Sequence, residues 1–492
     1  MIAAGASIET IGVITADRPT LLRRCLRSYQ DHCRAGGRHV RFVVIDGSKE
    51  RANSSRNQII VASAQQEAPE LPLTYVGPCA QAAIRRRLIR HGIPPVVVSC
   101  MLPEMARSHS PGSARTLLLL ISAGQAILTA DDDTVCMPWT APHGGGPHVQ
   151  FVSRDDPRLT TLCESRASAI TTAAKSAGGD LIAAHEELLG ATLSDLQRRV
   201  HGASESTEHA AATWQGTVRA TWSGIAGDSA VHCPYSILFN TTTAGRVIRD
   251  TPALYRLATT SREVVRSVPR PTVTDESGLM AYCAAIDNRT IVPPFSSVGT
   301  NEDGLFGAML RIASPDAFIG HVPCGIIHDS SRPSVYDSSA ITSAAQLRFG
   351  DLIQQLIGDW RPMAAGCADV NLRALGDYLW NISQLDIGSF AYETGKAARE
   401  RTAPQLASID RQLSAGCPAY IAADLVRYRE TALAYLQRPD AGVPIEFRST
   451  DTVRRDVRRL RDYIGCFALV LRLWPEIWGC AGRSIAPHVR DS

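Results

Sequence analysis

The chain has 492 residues, 45% of them hydrophobic and 20% charged, the balance of a soluble globular protein with two or three domains. A net charge of +3 gives no argument for nucleic acid or any other strongly charged partner. Thirteen cysteines, from Cys25 to Cys480, form no C-x-x-C pair and no zinc-finger spacing, so they read as reduced thiols of a cytoplasmic protein and not as a disulfide framework. Met1–Thr10 lacks a basic segment followed by an apolar core, so no signal peptide is expected. No apolar stretch of about 18 residues predicts a spanning helix.

Ile11-Gly-Val-Ile-Thr15 is a β-branched run that predicts a buried strand. Asp17-Arg-Pro-Thr20 breaks it, and Leu21, Leu22, Cys25, Leu26 and Tyr29 then follow at helical spacing. A second strand, Val40–Ile45, ends at Asp46-Gly-Ser48, which completes a βαβ unit. A helix over 53–66, a strand over 73–76, a helix over 80–91 and a helix over 112–123 continue the alternation. Ala126–Thr129 is a strand running directly into Asp131-Asp132-Asp133. Ligands of open α/β sheets gather at the carboxyl ends of strands, so the triplet stands in a functional location.

Beyond it, Pro142-His-Gly-Gly-Gly-Pro147 reads as a loop, Val149–Val152 as a strand and 165–199 as helical, while 200–270 carries no clear period. The segment 138–270 is taken as an insertion shaping an acceptor site. Helices are expected over 275–286 and 304–312, and a strand over 317–322. From about 336 onward, apolar positions at helical spacing recur through 347–357, 370–385, 403–414, 418–437 and 453–472. They predict a helical C-terminal domain, residues 336–492, after an α/β domain, residues 1–335.

Adjacent carboxylates raise one another's pKa unless a cation is present. A hard divalent ion, Mn²⁺ or Mg²⁺, resolves the conflict and keeps positions open for phosphate oxygens. A bare acidic triplet is more often a solvated turn; here the preceding strand favours the cation site.

The order Ile11–Thr15, Asp46-Gly-Ser48, Gly112-Ser-Ala-Arg115 and Thr129-Ala-Asp-Asp-Asp133 resembles the family-2 glycosyltransferases of GT-A fold, over residues 8–137 and again near 293–332. The resemblance implies a Rossmann-like, mostly parallel sheet flanked by helices. It also implies transfer of a sugar from a UDP- or GDP-sugar, metal-dependent and inverting. In it, Asp131-x-Asp133 is the D-x-D motif, with Asp133 a metal ligand, Asp131 a donor or metal contact and Asp132 beside them. Asn301-Glu-Asp-Gly304 opens a helix; Asp303 matches the general base, with Glu302 the other acid of the motif. His328, after a strand, matches a third metal ligand, with His321 competing for that role. Thr15 and Asp46 would line the nucleotide cleft, Asp46 accepting from the base edge. Arg18 and Arg115 would contact the diphosphate or the base.

His143-Gly-Gly-Gly146 has the look of an oxyanion loop, but no G-x-S-x-G accompanies it; dinucleotide and P-loop motifs are absent too. The readings of another class are a non-catalytic nucleotide- or carbohydrate-binding protein and a sugar nucleotidyltransferase. The latter calls for a Gly-rich basic loop near the first strand, which this chain lacks. Arg454, Arg455, Arg458, Arg459 and Arg461 read as a solvated helix face before a buried segment, with a membrane-surface contact or a homodimer through these helices as the alternatives.

Overall fold

The computed structural model describes residues 5–104, 110–141, 148–153, 156–198, 214–231, 234, 238, 249–337, 339–358, 360–361 and 367–486. The Gly-rich loop 142–147 lies outside them.

Strands β1 (Ile8–Thr15), β2 (Arg41–Asp46), β3 (Leu73–Val76) and β4 (Gln125–Asp131) are parallel neighbours in the order β3-β2-β1-β4. Helices α1 (Pro19–Ala35), α2 (Arg51–Glu67), α3 (Pro78–Arg90), α4 (Pro95–Met101) and α5 (Pro111–Ile121) connect them. Ile11, Val13 and Ile14 are all buried, because a central parallel strand is covered on both faces. This is why β1 reads as a continuous apolar run with no alternation.

The chain continues through β5 (Thr134–Thr140), β6 (Gln150–Val152), β7 (Leu159–Leu162), α6 (Arg166–Ala174), α7 (Leu181–Leu188), α8 (Leu193–Arg198) and β8 (Thr217–Asp228). Next come α9 (Pro252–Thr260), β9 (Glu263–Ser267), β10 (Thr272–Thr274), β11 (Cys283–Asn288), α10 (Glu302–Ala313) and β12 (Ala317–His328). The sheet extends from β4 through β11, β8, β12, β10 and β6, with β5 on β12 and β9 joining β7 to β8.

Register decides what meets at the carboxyl edge. Thr15 of β1 pairs with Asp46, and Ile14 with Asp131, so three parallel strands end level. β11 is antiparallel to β4 and to β8, and β8 is parallel to β12. β8 and β12 therefore end on the same edge as β4, at Asp228 and His328. β5 leaves the triplet and pairs antiparallel with β12, Thr134 opposite His328. That pairing sets Asp133 beside His328 across 195 residues of sequence.

Helices α11 (Ala340–Ser343), α12 (Phe349–Ile357), α13 (Ala368–Ser383), α14 (Ile387–Ser414), α15 (Ala419–Leu436) and α16 (Val453–Ser484) form the C-terminal part. One hydrophobic core runs from the sheet through α5 into α13 and α16, so this part packs on the α/β portion. Trp474 donates its indole N–H to the Val292 carbonyl at 2.5 Å, and Trp478 donates to Asn288 at 2.9 Å. α16 is long and apolar enough to cross a membrane by length and composition, contrary to the sequence expectation. However, 56% of its most apolar 18-residue window is buried inside the fold. Its Arg454, Arg455, Arg458 and Arg459 are exposed.

Two expectations need correction. The helix expected over 275–286 is absent: Cys283–Asn288 is strand β11, buried between β4 and β8. The alanines of this run favour a helix in isolation, and tertiary pairing overrides that preference. The helical stretch over 165–199 is three short helices, broken where Gly178, Gly179 and Gly190 take positive φ. Within the segment 138–270, whose stretch 200–270 carries no clear period in sequence, residues 217–228 form β8, inside the sheet between β11 and β12.

Candidate active site

The three aspartates diverge after β4. The Asp132 amide donates to the Ile14 carbonyl at 3.2 Å, which turns this residue inward over the end of β1. Its side chain is fully buried, accepts from Thr15 Oγ1 at 2.7 Å and meets Arg18 Nη2 at 2.7 Å. Burial pushes the Asp132 carboxyl up to about 7, against the pull of Arg18.

Asp133 receives Arg18 Nη1 at 2.8 Å on one oxygen and His328 Nε2 at 3.2 Å on the other. Burial raises this carboxyl, but the hydrogen bond and charge of His328 and the Arg18 guanidinium outweigh it and hold Asp133 well below the usual range. His328 is held correspondingly high: burial lowers it, and Asp133 more than compensates. Its Nδ1 lies 2.8 Å from the Asp228 carbonyl. A carbonyl only accepts, so Nδ1 carries a proton and Nε2 is the nitrogen turned toward Asp133. This second hydrogen bond, which fixes ring and tautomer, is the arrangement found behind metal-binding histidines.

Asp131 turns the other way. Arg115, buried on α5, donates to Asp131 at 2.5 Å and to Glu302 at 2.5 Å, joining the triplet to the start of α10. Burial raises both carboxyls, Glu302 to about 7, where the neighbouring Asp303 adds to the effect and Arg115 opposes it. Arg115 can sit there because Gly112 precedes it: a Cβ on Gly112 would lie 1.8 Å from the Ser296 carbonyl oxygen. Asn301, at φ +67°, turns the chain into α10. Asp303 follows, half-buried, accepting from the Ala281 amide at 3.0 Å and the Gly304 amide at 2.9 Å.

Arg18, Arg115, Asp131, Asp133, Glu302, Asp303 and His328 all line one cleft of about 460 Å³. Gln346, Arg348, Asp351 and Arg401 of the helical part line it as well. Thr15, Asp46 and Asp132 do not. Asp46 is fully buried and accepts from the Ser48 amide, Asn57 and the Tyr75 hydroxyl, so it organises the turn between β2 and α2. His321 is also outside the cleft, buried against Trp222 at 4.9 Å and pushed down to about 3 by that burial.

Asp228 escapes the sequence reading. Its carbonyl orients His328, while its buried carboxylate accepts from Arg262 at 2.8 Å, from Ser330 at 2.5 Å and from the Ala230 amide at 2.9 Å. The signal was present: Ile225-Ala-Gly-Asp-Ser229 ends an apolar run as Val44-Ile-Asp-Gly-Ser48 does.

Asp133 and His328 bring a carboxylate oxygen and a ring nitrogen, donor types that a divalent cation accepts, to 3.2 Å from each other; among the described residues no group of three or more His, Cys, Asp or Glu side chains is placed to hold a metal ion.

No protein-family profile and no curated protein matches this chain. Among solved structures, the mannosyltransferase PcManGT from Pyrobaculum calidifontis, in complex with GDP-Man and Mn²⁺, is similar at a TM-score of 0.33 and 14% identity. The similarity covers 96% of this chain and 90% of that one.

Proposed function

We propose that the protein is a glycosyltransferase of GT-A type that moves a sugar from a nucleoside diphosphate sugar to an acceptor hydroxyl. The observation that carries this reading is the cleft at the carboxyl edge of the sheet, where the Asp133–His328 pair and Asp303 line one space. The parallel β3-β2-β1-β4 order with antiparallel β11 supports the architecture.

The acceptor oxygen attacks the anomeric carbon as the bond from that carbon to the phosphate oxygen breaks. Asp303 takes the acceptor's proton, and the nucleoside diphosphate leaves with the bonding pair. Its two amide hydrogen bonds hold the carboxylate in place for that role. Attack opposite to the leaving group inverts the anomeric centre. Asp133 and His328 would hold Mn²⁺ or Mg²⁺, which supplies Lewis-acid stabilisation of charge on the leaving phosphate. Arg18, partly exposed at the cleft, binds Asp132 and Asp133 through its two terminal nitrogens and brings positive charge to where the phosphates would lie.

A thermal-shift panel of UDP-, GDP- and dTDP-sugars with and without Mn²⁺ tests the reading, followed by donor turnover. One donor should stabilise the fold only with the metal; a donor present at 100 times its Kd adds about 2.7 kcal/mol. A panel in which no donor shifts the transition, with or without metal, overturns it.

A further inference from the structure

A second cavity, of about 470 Å³, adjoins the cleft at the carboxyl edge of the sheet. Leu279, Met280 and Asn301 line both spaces. Asp303 stands at the junction: it lines the cleft, while the next residue, Gly304, lines the second cavity and binds the Asp303 carboxylate through its amide.

The chemistry of this cavity is specific. Arg158 lies 4.4 Å over the ring of the buried Trp222, and its charge is already cancelled by Asp156, which it grips through two nitrogens at 2.7 Å. Glu276 adds an exposed carboxylate. With one arginine against two acids, the lining carries one excess negative charge, which disfavours a phosphate or a uronate. The other polar groups are neutral. Among them, Gln354 has a buried Nε2 without a hydrogen-bond partner. Amides and carboxylates are the donors and acceptors that match sugar hydroxyls, and the volume falls in the range of small-molecule sites.

We propose that this cavity is the acceptor subsite and that it takes an uncharged, hydroxyl-rich saccharide whose reacting hydroxyl is presented to Asp303. The proposal rests on the transferase reading, and the bonds made and broken are those given above.

Gly278 lines the cavity and not the cleft, and a Cβ there meets nothing within 4 Å, so Gly278→Trp can fill the space. The probes are neutral hexose disaccharides, with a hexose phosphate and a uronate-containing disaccharide as charged counterparts. Saturation-transfer NMR reads binding, and turnover is read as the stimulation each saccharide gives over donor hydrolysis in the same variant. Neutral disaccharides should bind the native protein, and Gly278→Trp should abolish both binding and stimulation. Gln354→Leu, a milder change, should raise the disaccharide KM by about three- to tenfold with little effect on kcat. Equal saturation of native protein and both variants, or binding confined to the charged saccharides, overturns the proposal. If no nucleotide sugar is hydrolysed, the transferase reading falls, and the saturation-transfer comparison decides the cavity alone.

Discussion

His328 Nε2 lies 3.2 Å from Asp133 Oδ1, while the same ring's Nδ1 is fixed on the Asp228 carbonyl at 2.8 Å. The imidazole therefore has one orientation, and its Nε2 is held against a carboxylate at the cleft. His328→Ala and Asp133→Ala should each weaken Mn²⁺-dependent nucleotide affinity by at least about tenfold. The double variant should lose little more than either single one, because both act through one ion. Titration calorimetry measures this; additive losses would mean that the two side chains act separately.

Asp303→Asn should retain donor binding and lose transfer by about 10²–10⁴-fold. The asparagine keeps shape and one amide contact but cannot take the proton. Normal turnover would move the base elsewhere, with Glu302, which burial raises to about 7 against the pull of Arg115, the next carboxyl to replace.

Gly112→Ala reverses the sign expected from helix propensity. Alanine inside a helix ordinarily stabilises by about 0.5–1 kcal/mol over glycine, and Gly395→Ala in α14, whose nearest contact is the end of the Arg399 side chain at 3.4 Å, should behave that way. At Gly112 the new methyl meets backbone oxygen, so a loss of about 1–3 kcal/mol is expected. Urea denaturation of both variants separates the cases; equal effects would remove the argument for close approach.

His185 is fully buried, with Nδ1 2.7 Å from Thr221 Oγ1, and burial pushes it down to about 3. An unfolded histidine titrates near 6.5, so its share of stability is complete above that pH and shrinks as pH falls toward 3. The slope reaches about 1.4 kcal/mol per pH unit, because the unfolded chain binds a proton the fold refuses. His185→Gln should flatten this part of the urea-midpoint profile between about pH 6.5 and 4. An unchanged profile would assign the loss to other groups.

Sequence alone determined the first half of the sheet. The β-branched run at Ile11–Thr15 and the acidic strand ends at Asp46 and Asp131 are local signals, and a buried parallel strand writes them continuously into adjacent residues. It also singled out Asp131, Asp133, Glu302, Asp303 and His328, which line one cleft. Tertiary structure decided the rest. β8 and β11 became strands only by pairing with each other and with β4 and β12, contacts that no local period encodes. The three adjacent aspartates took different partners: Arg115 for Asp131, Thr15 for Asp132 and His328 for Asp133, with Arg18 shared by the last two. Successive side chains at a strand's end point in different directions, and each finds its neighbour on a different element: helix α5 just before β4 for Asp131, and strands β1 and β12, 117 and 195 residues away, for Asp132 and Asp133.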